Sequence, residues 1–228
     1  MIGLDVGSTT AKIVKLEGGE IKFRITGTHN WKDLITGIGN EDIISTGYFR
    51  NRVPHKASVT EITAAIYGVR HFFPGADLIV DIGGQDTKVI DIKRNNFMIN
   101  DKCSAGTGAF LEFAANYFNI GMEELGMLHS MAERIPDINN TCGVFAISEM
   151  ISQLVAGYSK EEVIAGMHYA FARRISFMIP QSEEVVLIGG TAKNEGMVKA
   201  LKDIIKRKIL VPSEPQIVNA LGALEYYS

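Results

Sequence analysis

The sequence predicts an α/β fold of two related halves, on three observations. A pattern beginning Asp-x-Gly occurs twice, offset by 81 − 5 = 76 positions; short apolar runs bracket each copy; and segments with helical periodicity occupy much of the remaining chain. The first copy reads Asp5-Val6-Gly7-Ser8-Thr9-Thr10-Ala11-Lys12 and the second Asp81-Ile82-Gly83-Gly84-Gln85-Asp86-Thr87-Lys88.

The elements follow in order. Apolar runs at Ile2–Leu4 and Leu78–Val80 predict a strand before each copy, and Ile13–Leu16 and Val89–Ile92 predict one after it. Turn-rich residues 17–20 and 93–96 then lead to third strands at Ile21–Ile25 and Phe97–Ile99. Over Val59–Phe73, Ile62, Ala65, Ile66, Val69 and Phe73 share one helical face. Ala105–Phe118 and Val144–Ala156 read as buried helices and Glu161–Met178 as an amphipathic one. A buried strand at Val185–Ile188 precedes a glycine loop and a helix over Met197–Lys206. Strand groups alternating with helices give the α/β class. The halves are expected to divide near Pro74-Gly75, into lobes 1–75 and 76–228.

Composition narrows the function classes. The chain has 228 residues, is 46% hydrophobic and carries a net charge of −3. That apolar share suits a packed core, and the balanced charge argues against a nucleic-acid partner. No run of about 18 apolar residues occurs, so no membrane span is expected. The amino terminus shows no basic segment followed by an apolar one, which predicts a cytoplasmic protein.

The repeated corners have a chemical logic. Glycines 7, 83 and 84 let backbone approach a phosphate, and successive N–H groups with the hydroxyls of Ser8, Thr9 and Thr10 form an anion cradle beside Ala11. Asp5 and Asp81 would repel phosphates unless a cation intervenes, which suggests Mg²⁺ held through water. Lys12 adds positive charge. A third element, Gly189-Gly190-Thr191-Ala192-Lys193-Asn194, follows a strand, as suits close passage of a nucleotide. The bland alternative makes each corner a tight hairpin turn. Neither Gly-x4-Gly-Lys-Ser/Thr nor Gly-x-Gly-x-x-Gly is present, which excludes P-loop and dinucleotide readings.

Cys103 and Cys142 are the only cysteines, too few for a disulfide framework and half of a four-thiolate metal site. Each is placed just ahead of an expected helix, where N–H groups favour a thiolate. The alternative is two structural cysteines acting as small hydrophobes. The five histidines show no ligand spacing and read as surface or structural, and Lys199, Lys202, Lys206, Arg207 and Lys208 as a solvated face.

These features resemble the actin/Hsp70/sugar-kinase ATPase superfamily. More closely, the chain resembles the activator ATPases of 2-hydroxyacyl-CoA dehydratases and the related benzoyl-CoA reductase subunits, through Gly3–Lys12, Thr46–Tyr48, Val80–Val89, Asn100–Gly108, Cys142–Leu154, Gly189–Asn194 and Gln216–Ala223. The resemblance implies two duplicated actin/ribonuclease-H-like lobes with ATP in the cleft between them, Gln216 among the nucleotide-binding residues. It implies a homodimer in which Cys103 and Cys142 of each copy share one 4Fe–4S cluster. Its members deliver a low-potential electron, taken from a donor such as ferredoxin or flavodoxin, to a partner iron–sulfur dehydratase or reductase. Asp5 and Asp86 are then catalytic candidates with Gln85, which would position the attacking water. Glu61 and Glu149 would touch the cleft or brace the lobes. The chain departs from the family pattern at Phe49 and Ile147. A cluster-free small-molecule kinase and a non-catalytic actin-like switch stand as alternatives.

Overall fold

The computed structural model describes residues 1–139 and 142–227. It contains two five-stranded mixed sheets of identical topology. The first is formed by β1 (Ile2–Val6), β2 (Thr10–Glu17), β3 (Glu20–Gly27), β4 (Ile43–Thr46) and β5 (Ala57–Ser58), in the order β3-β2-β1-β4-β5. The second is formed by β6 (Leu78–Ile82), β7 (Thr87–Asp91), β8 (Asn96–Asn100), β9 (Glu184–Ile188) and β10 (Lys208–Leu210), in the order β10-β9-β6-β7-β8. In each, three consecutive strands run antiparallel and the last two add in parallel on the far side of the first. Both central strands, β1 and β6, are buried along their whole length, which is why they read as continuous apolar runs rather than alternating ones.

Eight helices complete the described fold: α1 (Trp31–Ile35), α2 (Glu61–Phe72), α3 (Gly108–Phe118), α4 (Glu124–Ser130), α5 (Gly143–Val155), α6 (Lys160–Ser176), α7 (Glu195–Ile205) and α8 (Val218–Tyr227). The carboxy-terminal α8 returns to lie beside α2, between the two sheets. Ala64 and Ala223 face Ile44 of the first sheet, whereas Ala65, Val69 and Val218 face Ile79, Ile90 and Val186 of the second. The outer face of the second sheet is covered by helices α3 to α7, whose Leu111, Met150, Phe171 and Met197 pack with Val80, Ile82 and Val89. On the outer face of the first, Leu34 of α1 packs with Val53 against Ile2, Leu4 and Ile13. Among the described residues, no helix is long and apolar enough to cross a membrane.

Local chemistry sets the helix starts. Thr60 accepts the Thr63 N–H and begins α2 at Glu61, and Ser159 with Glu162 forms a capping box for α6. Three expectations change. The helix expected from Ala105 begins at Gly108, because Ser104–Thr107 forms a turn with Gly106 at φ +87°. Cys103 therefore stands on a loop, while Cys142 is the N-cap of α5. The burial expected of α5 holds for one face only: Val144, Phe145, Ile151 and Val155 are exposed.

Candidate nucleotide site

The repeat places equivalent residues at equivalent positions. Asp5 of β1 lies opposite Lys12 of β2, and Asp81 of β6 lies opposite Lys88 of β7. All four are at the strand ends that face a cleft between the two halves. The corners meet there. A Cβ placed on Gly84 would lie 2.1 Å from Thr9 Oγ1, so the backbone of the second corner touches a side chain of the first. Only glycine permits that approach.

The third loop closes the floor. Gly189, at φ +91°, leads from β9 into a short turn over Gly190–Lys193, and its missing Cβ would lie 2.8 Å from Asp81 Oδ1. The loop is held at its far end by Asn194, which accepts the Met197 N–H and donates to His168 Nε2 at 3.0 Å. His168 is fully buried against His129, 3.1 Å away, and burial pushes its pKa down to about 3, so it stays a neutral acceptor.

The charges are unequal between the corners. Lys12 Nζ donates to Asp5 Oδ2 at 3.0 Å and to the Thr10 carbonyl at 3.3 Å. Lys88 turns instead to Asp86, at 2.6 Å, and to Glu61 of α2, at 3.3 Å. Burial opposes the charge on Lys88, but the carboxylates of Asp81, Glu61 and Asp86 outweigh it and raise its pKa. Burial raises the Glu61 pKa, against the pull of Lys88 and with help from Asp5, Asp86 and Asp81. Glu61 thus does both things expected of it: it lines the cleft and joins the two halves. Glu149 does not line the cleft; it accepts the backbone N–H of Asn139, just ahead of Cys142.

A pH effect follows from Glu61. The folded chain holds its carboxyl more readily protonated than the unfolded chain does, so folding takes up a proton just above the ordinary pKa of 4.5. Stability from this group is lost as pH rises through that window. Glu61→Gln should therefore be more stable than the parent at pH 7, with the difference vanishing towards pH 4, in urea unfolding series across that range. Equal stability at both ends would mean that the fold does not raise the Glu61 pKa.

The structure brings together, around a cavity of ≈ 210 Å³, Asp5, Gly7 and the hydroxyls of residues 8–10 from the first corner. Lys12, Asp81, Gly83, Gly84, Asp86, Gly189, Gly190 and Gln216 join them. Ala11 is buried beneath the corner. Gln85 is exposed and does not line the cavity, and Lys193, paired with Glu214 at 3.0 Å, lines a neighbouring cavity instead. Sequence reasoning missed Lys88, Thr191 and Asn219 as lining residues. Lys88 was available from the repeat, as the counterpart of Lys12. Asn219 was available from its place in the same segment, three residues beyond Gln216.

The second corner is bonded to the first cysteine's segment. The N–H groups of Gly108 and Ala109, at the start of α3, donate to the carbonyls of Gly83 and Gly84 at 2.9 and 2.7 Å. Thr87 Oγ1 donates to the Gly106 carbonyl at 2.6 Å. The second cysteine lies close by: a Cβ on Gly143 would be 3.0 Å from Ser104 Oγ. Among the described residues, no three His, Cys, Asp or Glu side chains gather closely enough to hold a metal ion on their own.

Comparison with known proteins decides the family. Residues 34–226 match the model of the BadF/BadG/BcrA/BcrD ATPase family. The chain belongs to that family. It is 37% identical to a 2-hydroxyisocaproyl-CoA dehydratase activator of Clostridioides difficile, over 99% of this chain and 93% of the relative. It is 35% identical to the (R)-2-hydroxyglutaryl-CoA dehydratase activating ATPase of Acidaminococcus fermentans, over 99% and 95%. A solved structure of the C. difficile activator with bound ADPNP superposes with a TM-score of 0.89 at 35% identity, covering 99% of this chain and 93% of that one. The fold is therefore the two-lobed, actin-like one, and the chain is a BadF/BadG/BcrA/BcrD-type ATPase.

Proposed function

We propose that this ATPase is a homodimeric activator that delivers a low-potential electron to a partner iron–sulfur enzyme. The partner is a dehydratase or reductase of the 2-hydroxyacyl-CoA or benzoyl-CoA type. The observation that carries the reading is the hydrogen-bonded path from Gly83 and Gly84 through the start of α3 to the segment that follows Cys103. A change at the phosphates is thereby felt at the thiol.

The triphosphate lies between the corners, with the hydroxyls of Ser8, Thr9 and Thr10 and the backbone of residues 83 and 84 as donors. The nucleoside extends past Gly190 and Thr191 into a neighbouring cavity of ≈ 610 Å³ that shares those residues. Asp5 and Asp81 would hold Mg²⁺, which would supply neutralisation of phosphate charge there. Asp86 orients the attacking water or the cation. Gln85, between two residues that line the cleft, positions the water when lobes 1–75 and 76–228 close on the nucleotide.

The thiols suit a cluster by their chemistry. Both are free and half-buried, Cys142 caps a 13-residue helix, and the two segments adjoin at Gly143 and Ser104. Cys103 and Cys142 would hold a 4Fe–4S cluster jointly with the same pair from a second copy, giving the dimer a one-electron centre. The exposed Phe145 and Val144 beside Cys142 support a protein contact on that side. Reduction would come from a donor such as ferredoxin or flavodoxin.

Oxygen-free purification tests this. A brown dimer with about two iron atoms per chain is expected. Cys103→Ser and Cys142→Ser should each lose the iron yet retain nucleotide binding. A colourless monomer, iron-free even after reconstitution with iron and sulfide, would reject the electron-delivery reading and leave a plain ATPase.

A further inference from the structure

Asn219 sits on α8 at the floor of the cleft and reaches across to the second sheet, where its Nδ2 donates to Asp81 Oδ2 at 2.9 Å. A carboxylate can only accept there, so the amide orientation is forced. The nitrogen must face Asp81, and the oxygen must point elsewhere. That oxygen, Asn219 Oδ1, is buried and has no hydrogen-bond partner in the described protein. Buried amide oxygens are almost always satisfied, and one that is not asks for an explanation.

Among the described residues, the two lysines that line the cleft are committed elsewhere. Lys12 is engaged by Asp5 and the Thr10 carbonyl, and Lys88 by Asp86 and Glu61. A partner for Oδ1 would have to come from solvent or with a ligand, and it must be a hydrogen-bond donor or a cation. A fully ionised phosphate is neither: its oxygens would repel Oδ1. With the Asp81 carboxylate alongside, the local charge selects a hydrated divalent cation, whose waters are strong donors.

We propose that Asn219 belongs to the cation site: its Nδ2 sets the orientation of Asp81, and its Oδ1 accepts from the water shell of the metal that accompanies the nucleotide. It is a positioning residue for Asp81 and, through its oxygen, a recognition element for the hydrated ion. This rests on the nucleotide reading of the cleft, and the test separates the two.

The probe is Mn²⁺, followed by electron paramagnetic resonance in the full-length protein with a non-hydrolysable ATP analogue. Asn219→Leu keeps the side chain's branched shape and removes both polar atoms; Asn219→Ala guards against a misfit of the bulkier leucine. Both should weaken Mn²⁺ binding about tenfold, as loss of an outer partner of a metal site does. Affinity for the analogue without metal should stay within about twofold. Parental Mn²⁺ affinity in both variants would overturn the proposal, as would an equal loss of metal-free analogue binding, which would mark a merely structural role. If the parent itself fails to bind Mn²⁺ with the analogue, the nucleotide reading falls and this proposal with it.

Discussion

Gly84→Ala is expected to lower ATP hydrolysis by about 100-fold, the loss that a displacement of roughly 1 Å between reacting groups produces. The added methyl would lie 2.1 Å from Thr9 Oγ1 and 2.9 Å from its Cβ, inside any real contact distance. The second corner must then back away from the first, and on the proposed reading a phosphate gripped by both would lose donors on one side. The same shift strains the bonds from Gly83 and Gly84 to α3, so the cysteine segment moves with it. Turnover of ATP measured beside analogue affinity would show whether the loss is in binding or in chemistry. Removing the obstructing side chain, by combining Gly84→Ala with Thr9→Gly, should restore part of the rate. Hydrolysis at the parental rate in Gly84→Ala would show that the corners work apart rather than in contact.

Gly222→Ala is expected to carry the largest stability cost, about 3 kcal/mol, in the upper range for overpacking at a site that cannot relax. Its Cβ would lie 1.8 Å from the Ala64 carbonyl oxygen and 2.5 Å from the Gly68 nitrogen, so α8 meets the backbone of α2 itself. Gly68 is the reciprocal contact, with a hypothetical Cβ 2.0 Å from the Val218 carbonyl oxygen. Backbone cannot swing aside as a side chain can, so the helices must separate. For a chain of this size the loss corresponds to a fall of roughly 10 °C in the unfolding midpoint, readable by calorimetry. Separation would also displace Glu61 on α2, Asn219 in the first turn of α8 and Gln216 just ahead of it, so metal-dependent nucleotide binding should weaken in the same variant. A midpoint within about 2 °C of the parent would mean that the close approach of α2 and α8 is not needed for stability.

Much of the fold was legible because its signals are local. The Asp-x-Gly corners, the turns after them and the periodic apolar faces of α2, α6 and α7 each depend on residues close in sequence, and the repeat offset reappears in the strand register, where Asp5 faces Lys12 and Asp81 faces Lys88. The short or irregular elements were not legible. β5 has two residues, α1 five and β10 three, too few to show a period. The turn between Cys103 and α3 is dictated by Gly106 and by bonds to Asn100 and Thr87, none of which marks a helix boundary in sequence.

The site divides along the same line. Residue chemistry alone pointed to a phosphate-binding pair of corners, because the pattern of aspartate, glycine and hydroxyl recurs in a second copy and is joined by a later glycine loop, which a lone hairpin turn would not require. Which groups share the cleft was decided by packing: α2 and α8, far apart in the chain, are wedged between the sheets and carry in Glu61 and Asn219. Lys88 could pair with Glu61 only once that wedge had formed, and Gln85 faces solvent although its neighbours on both sides face inward. Sequence encodes what each group can do within a few residues of itself, whereas closeness between segments more than a hundred residues apart is created by burial of apolar surface, to which no single local pattern corresponds.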